Sequence, residues 1–429
     1  MLRINFTFML LSYFIFNINS ELCTYNSKKK YSDLIIKYPE LTEQFNVMSQ
    51  YPIPIWYTDR NSNSLNEIKD TLQNCQQSTS VIIIYGMVNK DCEAGESTAG
   101  SNKNSNDYVN FITNLHKEVN DRNIIYIVEP DALALSVNNK CGIKNNYIDN
   151  IKNALKILSQ NKNAEIYLDI GHWVLIYGDQ QIKDIINIIN NIDPNKKIKG
   201  FSLNLSNYRS NLEMINACKK IKDISNVPYK CIIDTSRNAN GPDDKNTWCN
   251  LKSAGIGNLP TKTTNNELID YFMWLKPAIE VDGHCYGSEN SFQSSQSAGG
   301  NDIEFFKLLW NNGILKNNQN NNDNNKNNND NNKNNNDNNK NNIVNNQNNI
   351  VNNQNNIVNN QSNIVNNKNN EFSDEDLIKN DPFNSMESQC KSDDNICKDN
   401  VNKRRDVVNK RKNIYNNENN KKKSLRCDE

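Results

Sequence analysis

The sequence predicts an α/β domain that is built on a parallel β-sheet. Short apolar runs alternate with stretches of helical periodicity between residues 50 and 316. The apolar runs are almost continuous, which is typical of strands that are buried on both faces. Strands and helices that alternate in this way form a parallel sheet with right-handed crossovers, either open or closed into a barrel.

Six runs rich in apolar and β-branched residues are the predicted strands. They cover residues 81–85, 124–128, 165–168, 198–203, 230–233 and 271–275. Apolar residues recur at a helical spacing over residues 108–119, 148–158 and 182–189. Each of these three predicted helices lies between two predicted strands, as the crossover connection of a parallel sheet requires.

We expect residues 1–20 to be an export signal. Arg3 supplies the positive charge, residues 6–16 form an apolar core, and Asn19 and Ser20 provide a small-residue exit. Cleavage is expected after about Ser20, and a short anchor left in place is the alternative. Export would place the eleven cysteines in an oxidising compartment, where pairing into disulfides is the default.

Two segments that follow the predicted domain differ from it in composition. Residues 317–370 are nearly all Asn, with two seven-residue repeats, one of Asp and Lys and one of Ile-Val pairs. One apolar pair per repeat buries too little surface for a coiled coil, so a disordered linker is predicted. Residues 371–429 are acidic and then basic, and we expect a solvated charged tail of unknown role.

Polar residues come directly after the predicted strands. In a parallel barrel all of these strand ends lie on one face, where active sites are built. One such residue alone is usually a helix cap or a turn residue. Several carboxylates with one Lys, one Arg and few His indicate chemistry by general acid and electrostatics, which suits glycoside hydrolysis. The residues concerned are Asp91, Glu129, Asp131, Asp169, His172, Asn204, Asp234, Arg237, Lys276, Glu280 and Asp282.

Composition excludes several other classes of protein. The 49 basic residues balance the 49 acidic residues, whereas a nucleic-acid-binding surface needs a surplus of Lys and Arg. Three histidines and the lack of any Cys-x-x-Cys pair argue against a metal site. No apolar run reaches the roughly 18 residues of a membrane span.

Seven motifs occur in order between about residues 50 and 316. They are VIIIYGMVNKDCEAGESTAG from Val81, IVEPDALA from Ile127, YLDIGHW from Tyr167, FSLNLSNY from Phe201, IIDTSRNANGP from Ile232, WCN from Trp248 and WLKPAIEVDG from Trp274. This ordered set resembles glycoside hydrolase family 6, which contains inverting cellulases, both endoglucanases and cellobiohydrolases. The resemblance implies a distorted parallel β/α barrel, similar to a TIM barrel and with seven strands, over residues 21–316.

The resemblance also implies the catalytic residues. Asp131 matches the acid that protonates the leaving oxygen, and Asp91 matches the aspartate beside it, which would raise its pKa. Ser97 matches the serine that helps hold the attacking water, and Tyr85 matches the tyrosine near the sugar at the cleavage point. Asp282 matches the candidate base, and electrostatic stabilisation with proton removal through a chain of waters is the alternative role.

Substrate-binding residues are implied in the same way. Lys276 and Glu280 keep the family's spacing and are expected to bind the sugar before the scissile bond. Trp56 and Trp248 match tryptophans that stack on sugar rings. His172 and Asn204 are further candidates at the strand ends. After this histidine the family usually has a tryptophan where this chain has Leu175, so we expect weaker stacking on the leaving-group side unless Trp173 compensates.

The cysteine pattern agrees with the family. The resemblance implies disulfides between Cys92 and Cys141 and between Cys249 and Cys285. Two further pairs, Cys23 with Cys75 and Cys218 with Cys231, are plausible, although sequence alone does not determine connectivity. No cofactor and no metal are expected.

The sequence therefore predicts a secreted, extracellular, inverting hydrolase of β-1,4-glucosidic bonds in cellulose or related β-glucans. Processive members of the family cover the cleft with two long loops, whereas the corresponding loops here, over residues 92–107 and 283–300, are short. The resemblance therefore implies endo action, with an exo-acting cellobiohydrolase as the alternative. An inactive sugar-binding relative, an unrelated barrel hydrolase and a secreted protein whose Asn-rich tail is the functional part are the other hypotheses. The expected partner is a β-glucan, with no nucleic acid, no membrane after signal cleavage, and a monomeric state.

Overall fold

The structure is a computed structural model that describes residues 21–137, 140–176, 178–242, 247–285 and 289–316. The predicted export signal, linker and tail lie outside the described residues. Among the described residues, those within 284–293 group into a separate unit, in which the Gln293 amide donates to the Cys285 carbonyl at 2.9 Å. None of the helices in the described ranges has the length and apolar character of a membrane span.

Seven parallel strands form one sheet, and each strand pairs with the next one in the sequence. The six predicted strands are confirmed, and the first strand was missed because Pro52 and Pro54 interrupt the apolar run that leads into it. The strands are β1 (Ile55–Thr58), β2 (Ser80–Tyr85), β3 (Ile124–Val128), β4 (Ala164–Asp169), β5 (Gly200–Leu203), β6 (Lys230–Asp234) and β7 (Ile269–Met273).

The sheet is curled into a half-barrel, which confirms the predicted fold class. The hydroxyl of Tyr167 on β4 donates to the carboxylate of Asp270 on β7 at 2.6 Å, although two strands separate β4 from β7. The Trp56 indole N–H on β1 donates to the Leu275 carbonyl beyond β7 at 3.1 Å. These two contacts join distant strands on the concave face, so the side chains of that face form an enclosed interior.

The helices that lie between strands in the sequence pack against the convex face of the sheet. The three predicted helices are confirmed as α4, α6 and α8, whereas the others were not predicted. The helices are α1 (Tyr25–Lys37), α2 (Thr42–Met48), α3 (Ser64–Asn74), α4 (Ser105–Val119), α5 (Cys141–Lys144), α6 (Tyr147–Leu158), α7 (His172–Ile176), α8 (Asp179–Ile192), α9 (Asn211–Ser225) and α10 (Ile303–Asn312).

Alternate residues of each strand fill two different cores. On β2, Val81 and Ile83 belong to the interior cluster, whereas Ile82 and Ile84 pack toward the helices. This division explains why the strands read as continuous apolar runs. At the start of β5, a Cβ on Gly200 would lie 1.7 Å from the Lys230 carbonyl oxygen, so the approach to β6 requires glycine.

Disulfides join the chain at the places that the sequence indicated. Cys92 pairs with Cys141, which ties the loop after β2 to the start of α5. The two plausible extra pairs, Cys23–Cys75 and Cys218–Cys231, are also present. Cys249 and Cys285 are each disulfide-bonded. The three remaining cysteines lie outside the described residues.

A buried ion pair holds the loop that follows β2. The Lys90 ammonium lies 2.5 Å from Asp59 Oδ1, and these side chains are only 2% and 1% exposed. The ammonium also donates to the Ala99 carbonyl at 2.7 Å, and the second Asp59 oxygen accepts the Asn102 N–H at 2.9 Å. The pair therefore fixes both ends of the loop that contains Asp91 and Ser97.

Replacing Lys90 by methionine should lower the free energy of unfolding by about 3–5 kcal/mol, because the Asp59 carboxylate would remain buried without its counter-ion. Urea denaturation of both proteins measures the difference. Lys220→Met is the matched control, since the Lys220–Asp179 pair is 51% and 60% exposed and its loss should cost at most about 1 kcal/mol. Small losses of equal size in the two variants would contradict this role.

Candidate active site

The candidate site lies at the carboxyl ends of the strands, as predicted. Tyr85, Asp169 and Asp234 are the last residues of β2, β4 and β6, and Asp131 and Asn204 follow β3 and β5. In a curled parallel sheet these positions share one edge, where the chain turns from strand to helix. The fold therefore collects on one side polar residues that are far apart in the sequence.

The backbone at this edge is strained. Asp91, Glu129, Asp131 and Asn204 have φ values of 54°, 48°, 68° and 65°, in a region that non-glycine residues adopt infrequently. Such residues persist only where the surrounding structure holds them, and they cluster at functional sites. Four such residues in the segments that follow β2, β3 and β5 indicate that side-chain placement here takes precedence over local backbone energy.

Asp131 is partly buried among other carboxyl groups. Its backbone N–H donates to Asp169 Oδ1 at 2.9 Å. Burial raises the pKa of Asp131 well above its usual range, and the nearby carboxylates of Asp169 and Asp91 raise it further. The side chain therefore retains a proton at a pH where an exposed aspartate is ionised.

Asp169 is the buried neighbour of Asp131. The sequence predicted only that it lies at a strand end, with no catalytic role. Its Oδ1 also accepts the Gly171 N–H at 3.1 Å, so it fixes the turn that follows β4. Burial raises the pKa of Asp169, against the effect of these backbone donors. Two buried carboxyl groups so close together cannot both ionise at low cost, and the pair therefore holds a proton.

Glu129 follows β3 directly and is hydrogen-bonded to the segment after β2. Its two oxygens accept the N–H groups of Gly86 and Met87 at 3.0 and 3.1 Å. Burial raises the pKa of Glu129 to about 7. This side chain therefore links the end of β3 to the start of the loop after β2, which contains Asp91.

The structure brings Asp91 and Ser97 together. The Ser97 N–H donates to Asp91 Oδ2 at 2.6 Å, and the Ser97 hydroxyl accepts a hydrogen bond from Arg60 at 3.2 Å. Burial raises the pKa of Asp91, while backbone donors, that of Ser97 first among them, oppose the shift. The Arg60 contact was not predicted, because it joins the loop to a residue 37 positions earlier.

Tyr85 lies between an aromatic ring and a cation. Its ring meets that of Trp56 edge-on, with 5.8 Å between centroids, and the Lys90 ammonium lies 5.7 Å from its centroid. Burial raises the pKa of the Tyr85 hydroxyl, and the charges of Asp91 and Asp131 add to this effect. The phenol is therefore a neutral group beside both of these carboxyl groups.

Asp282 has the opposite electrostatic environment. Its Oδ1 lies 2.5 Å from the Lys276 ammonium and 3.0 Å from the Arg237 guanidinium. Its Oδ2 accepts the Tyr208 hydroxyl and the Asn250 N–H. Burial alone would raise the pKa of Asp282, but the two cations and these donors lower it to about 2.

Three partners of Asp282 had no assigned role in the sequence analysis. Tyr208 and Asn250 were not identified, and Arg237 appeared only as a rim residue. Arg237 also donates to the Tyr208 hydroxyl at 2.8 Å, with its guanidinium carbon 4.5 Å from the Tyr208 ring centroid. The signal that could have found these residues is their position within or beside the matched motifs.

The predicted aromatic residues differ in exposure. Trp248 is 45% exposed, and Trp56 is partly buried beside Tyr85. Leu175 is buried, whereas Trp173 is partly buried with the Lys140 ammonium 5.4 Å above its ring. Trp248 is thus available for stacking, and stacking by Trp173 stays a prediction.

Two predicted sugar-binding residues are buried. Asn204 donates to the carbonyls of Asp234 and Arg209, and its Oδ1 accepts the Arg209 N–H. Burial lowers the pKa of His172 to about 3, so its imidazole is neutral. Asn204 therefore shapes the loop after β5, and sugar contacts of these two residues stay predictions.

The edge thus contains two groups of carboxyls with opposite proton affinities. Burial raises the pKa values of Asp131, Asp169 and Asp91, whereas cations lower the pKa of Asp282 and keep it ionised. Titratable groups whose environments push their pKa values apart can serve as an acid and as an anionic stabiliser or base. Lys276 and Glu280 add a donor and an acceptor beside the anionic group.

The chain is similar in sequence to known glycoside hydrolases. The family model described as glycosyl hydrolases family 6 matches residues 22–313. Endoglucanase A of Thermobispora bispora is 30% identical over 219 residues, which are 49% of this chain and 45% of that protein. The probable 1,4-beta-D-glucan cellobiohydrolase C of Aspergillus niger is 27% identical over 263 residues, which are 51% and 57%. The chain spans about half of the length of these relatives.

A solved structure has the same architecture. The GH6 Orpinomyces sp. Y102 enzyme aligns with a TM-score of 0.60 and 25% identity, over 69% of this chain and 97% of that one. The alignment covers nearly all of that chain, and the family model covers the whole seven-stranded domain described above. Both the sequence motifs and the curled parallel sheet therefore lead to one conclusion: the chain belongs to glycoside hydrolase family 6.

Proposed function

We propose that this protein is an exported hydrolase that cleaves β-1,4-glucosidic bonds in cellulose or a related β-glucan, with inversion of configuration. The observation that carries the proposal is the contrast between Asp131, which retains its proton, and Asp282, which stays ionised. Glycoside hydrolysis needs both a protonated carboxyl and a negative charge near the sugar cation. Family membership and the names of the matched relatives support the same reaction.

Asp131 would donate its proton to the glycosidic oxygen as the bond between that oxygen and the anomeric carbon breaks. A water that Ser97 and Asp91 position attacks the opposite face of this carbon and loses a proton, so the new reducing end has the α configuration. Proton NMR of the fresh product reads that configuration. Asp91 helps to hold this water, and its negative charge raises the pKa of Asp131.

Asp282 suits electrostatic stabilisation better than direct proton removal. A carboxylate with a pKa of about 2 that is bonded to Lys276, Arg237 and Tyr208 is a weak base. Its negative charge can stabilise the positive charge that develops on the sugar ring, while the proton of the attacking water leaves through other waters. This argument favours the second of the two roles that the sequence left open.

We further propose endo action. The loop after β2 is short, since only residues 86–104 separate β2 from α4. Short loops leave the groove open, so an internal segment of a glucan can enter from the side. Relatives named as endoglucanase and as cellobiohydrolase match with similar identity, so homology does not choose between the two modes.

Asp131→Asn should reduce kcat on a soluble glucan by about 10²–10⁴-fold with little change in KM, because the variant binds sugar but cannot donate a proton. Loss on an aryl cellobioside with a good leaving group should be much smaller, since that group departs without protonation. Steady-state assays on the two substrates measure the contrast. Asp149→Asn, on an exposed turn of α6, is the matched control and should retain full activity. Equal losses on both substrates would mean that Asp131 has another role.

Asp169→Asn should move the alkaline limb of the pH profile of kcat/KM to lower pH by about one unit. Activity requires the protonated form of Asp131, so it is lost as pH rises through the pKa of Asp131. Removing the neighbouring carboxylate lowers this pKa, which places the loss at lower pH. An alkaline limb that stays in place in the variant would show that another group controls it.

Endo action predicts that the viscosity of carboxymethyl-cellulose falls early, while few reducing ends have formed, because a cut in mid-chain halves the polymer length. Viscometry beside a reducing-end assay measures both quantities, with Asp131→Asn as the blank. Slow loss of viscosity with cellobiose as almost the sole early product would support the cellobiohydrolase alternative instead.

A further inference from the structure

Helix α1 brings a lysine to the site. The Lys30 ammonium lies 2.6 Å from Glu280 Oε1, and these side chains are 25% and 17% exposed. Lys30 precedes Glu280 by 250 positions, and the sequence analysis assigned it no function. Glu280 lies two residues before Asp282, within the segment that also contains Lys276.

The position of Lys30 is fixed by the contacts of its helix. The Cys23–Cys75 disulfide holds the chain just before α1, and the Ser27 hydroxyl donates to the Tyr51 carbonyl. Tyr31, the next residue, is fully buried against Phe45, with 5.8 Å between ring centroids. The ammonium therefore approaches Glu280 from a helix that is held in place by packing and by a disulfide.

Glu280 is held from the opposite direction. Its backbone N–H donates to the Pro277 carbonyl at 2.9 Å. Glu280 also forms an isolated antiparallel β-bridge with Asn301. The Arg237 guanidinium, which also contacts Asp282, lies 3.5 Å from the Glu280 carbonyl. The carboxylate is thus placed between α1 and the cations that surround Asp282.

An ammonium beside a carboxylate suits recognition of sugar hydroxyls. Lysine has three N–H donors and a carboxylate has several acceptor positions, so one mutual hydrogen bond leaves both groups with capacity for a ligand. Each side chain remains partly exposed. A sugar ring that presents adjacent hydroxyls can then accept from Lys30 and donate to Glu280 at the same time.

We propose that Lys30 is a specificity-determining residue, which binds together with Glu280 the hydroxyls of the glucose ring that precedes the scissile bond. This inference rests on the proposed function, because it concerns the substrate of the same site. Hydrogen bonds to hydroxyls that lie away from the anomeric carbon change little as the glycosidic bond breaks, so Lys30 contributes binding that is nearly equal in the ground state and the transition state. Its loss should therefore raise KM and leave kcat unchanged.

The test compares Lys30→Met, Lys30→Arg and Lys29→Met on soluble cello-oligosaccharides. Lys29 is the matched control, because it is the preceding residue of α1 and pairs instead with Asp70, with 54% of its side chain exposed. Lys30→Met should raise KM about 10-fold or more, as expected for a hydrogen bond from a charged group, with kcat within about twofold. Lys30→Arg should recover most of the affinity, and Lys29→Met should behave as the wild type.

A double variant tests whether Lys30 and Glu280 act as a coupled pair. In a Glu280→Gln background, Lys30→Met should raise KM much less than it does alone, because the two groups act on one ring. An unchanged KM in Lys30→Met, or a fall in kcat at constant KM, would overturn the inference while leaving the proposed function in place. A wild-type protein that cleaves no β-glucan would overturn the proposed function itself.

Discussion

Exclusion of water from the carboxyl ends of β3 and β4 is the constraint on which the site depends. Asp131 and Asp169 lie together there, joined through the Asp131 N–H, and burial penalises the ionised form of each. A proton is therefore retained at this pair of carboxyl groups. The strained backbone at Glu129 and Asp131 is consistent with this arrangement, because the turn after β3 must present the Asp131 N–H to the Asp169 carboxyl group.

Asp282, in the other part of the site, has its pKa shifted in the opposite direction. Asp282 is as deeply buried as its counterparts, yet Lys276 and Arg237 compensate its charge and hold its pKa near the lower end of the carboxylate range. Burial thus has no single effect on the pKa of a carboxyl group. The direction of the pKa shift depends on whether cations or other carboxylates are buried beside it. One edge of a sheet consequently presents a proton donor and a permanent anion under the same solution conditions.

Long-range cross-links keep these groups in place. The Cys92–Cys141 disulfide and the buried Asp59–Lys90 pair both act on the loop that holds Asp91 and Ser97, and neither depends on local helix or strand formation. The Trp56 indole similarly joins β1 to the segment beyond β7, where the hydrogen-bonded sheet is open. A half-barrel lacks the strand pairing that closes a complete barrel, so side-chain hydrogen bonds connect its first and last strands instead.

The amino-acid sequence by itself determined the strands β2–β7, the helices α4, α6 and α8, and the placement of polar residues at strand ends, because apolar periodicity and turn residues act locally. It missed β1, because Pro52 and Pro54 interrupt the apolar run that leads into this strand. Only the tertiary structure decided which groups meet: the hydrogen bond between Asp169 and the Asp131 backbone, the contact of Lys30 with Glu280, and the use of the Asn204 amide to hold a loop. These contacts depend on the curl of the sheet and the course of α1, which join residues that are up to 250 positions apart, and no local pattern encodes such distances.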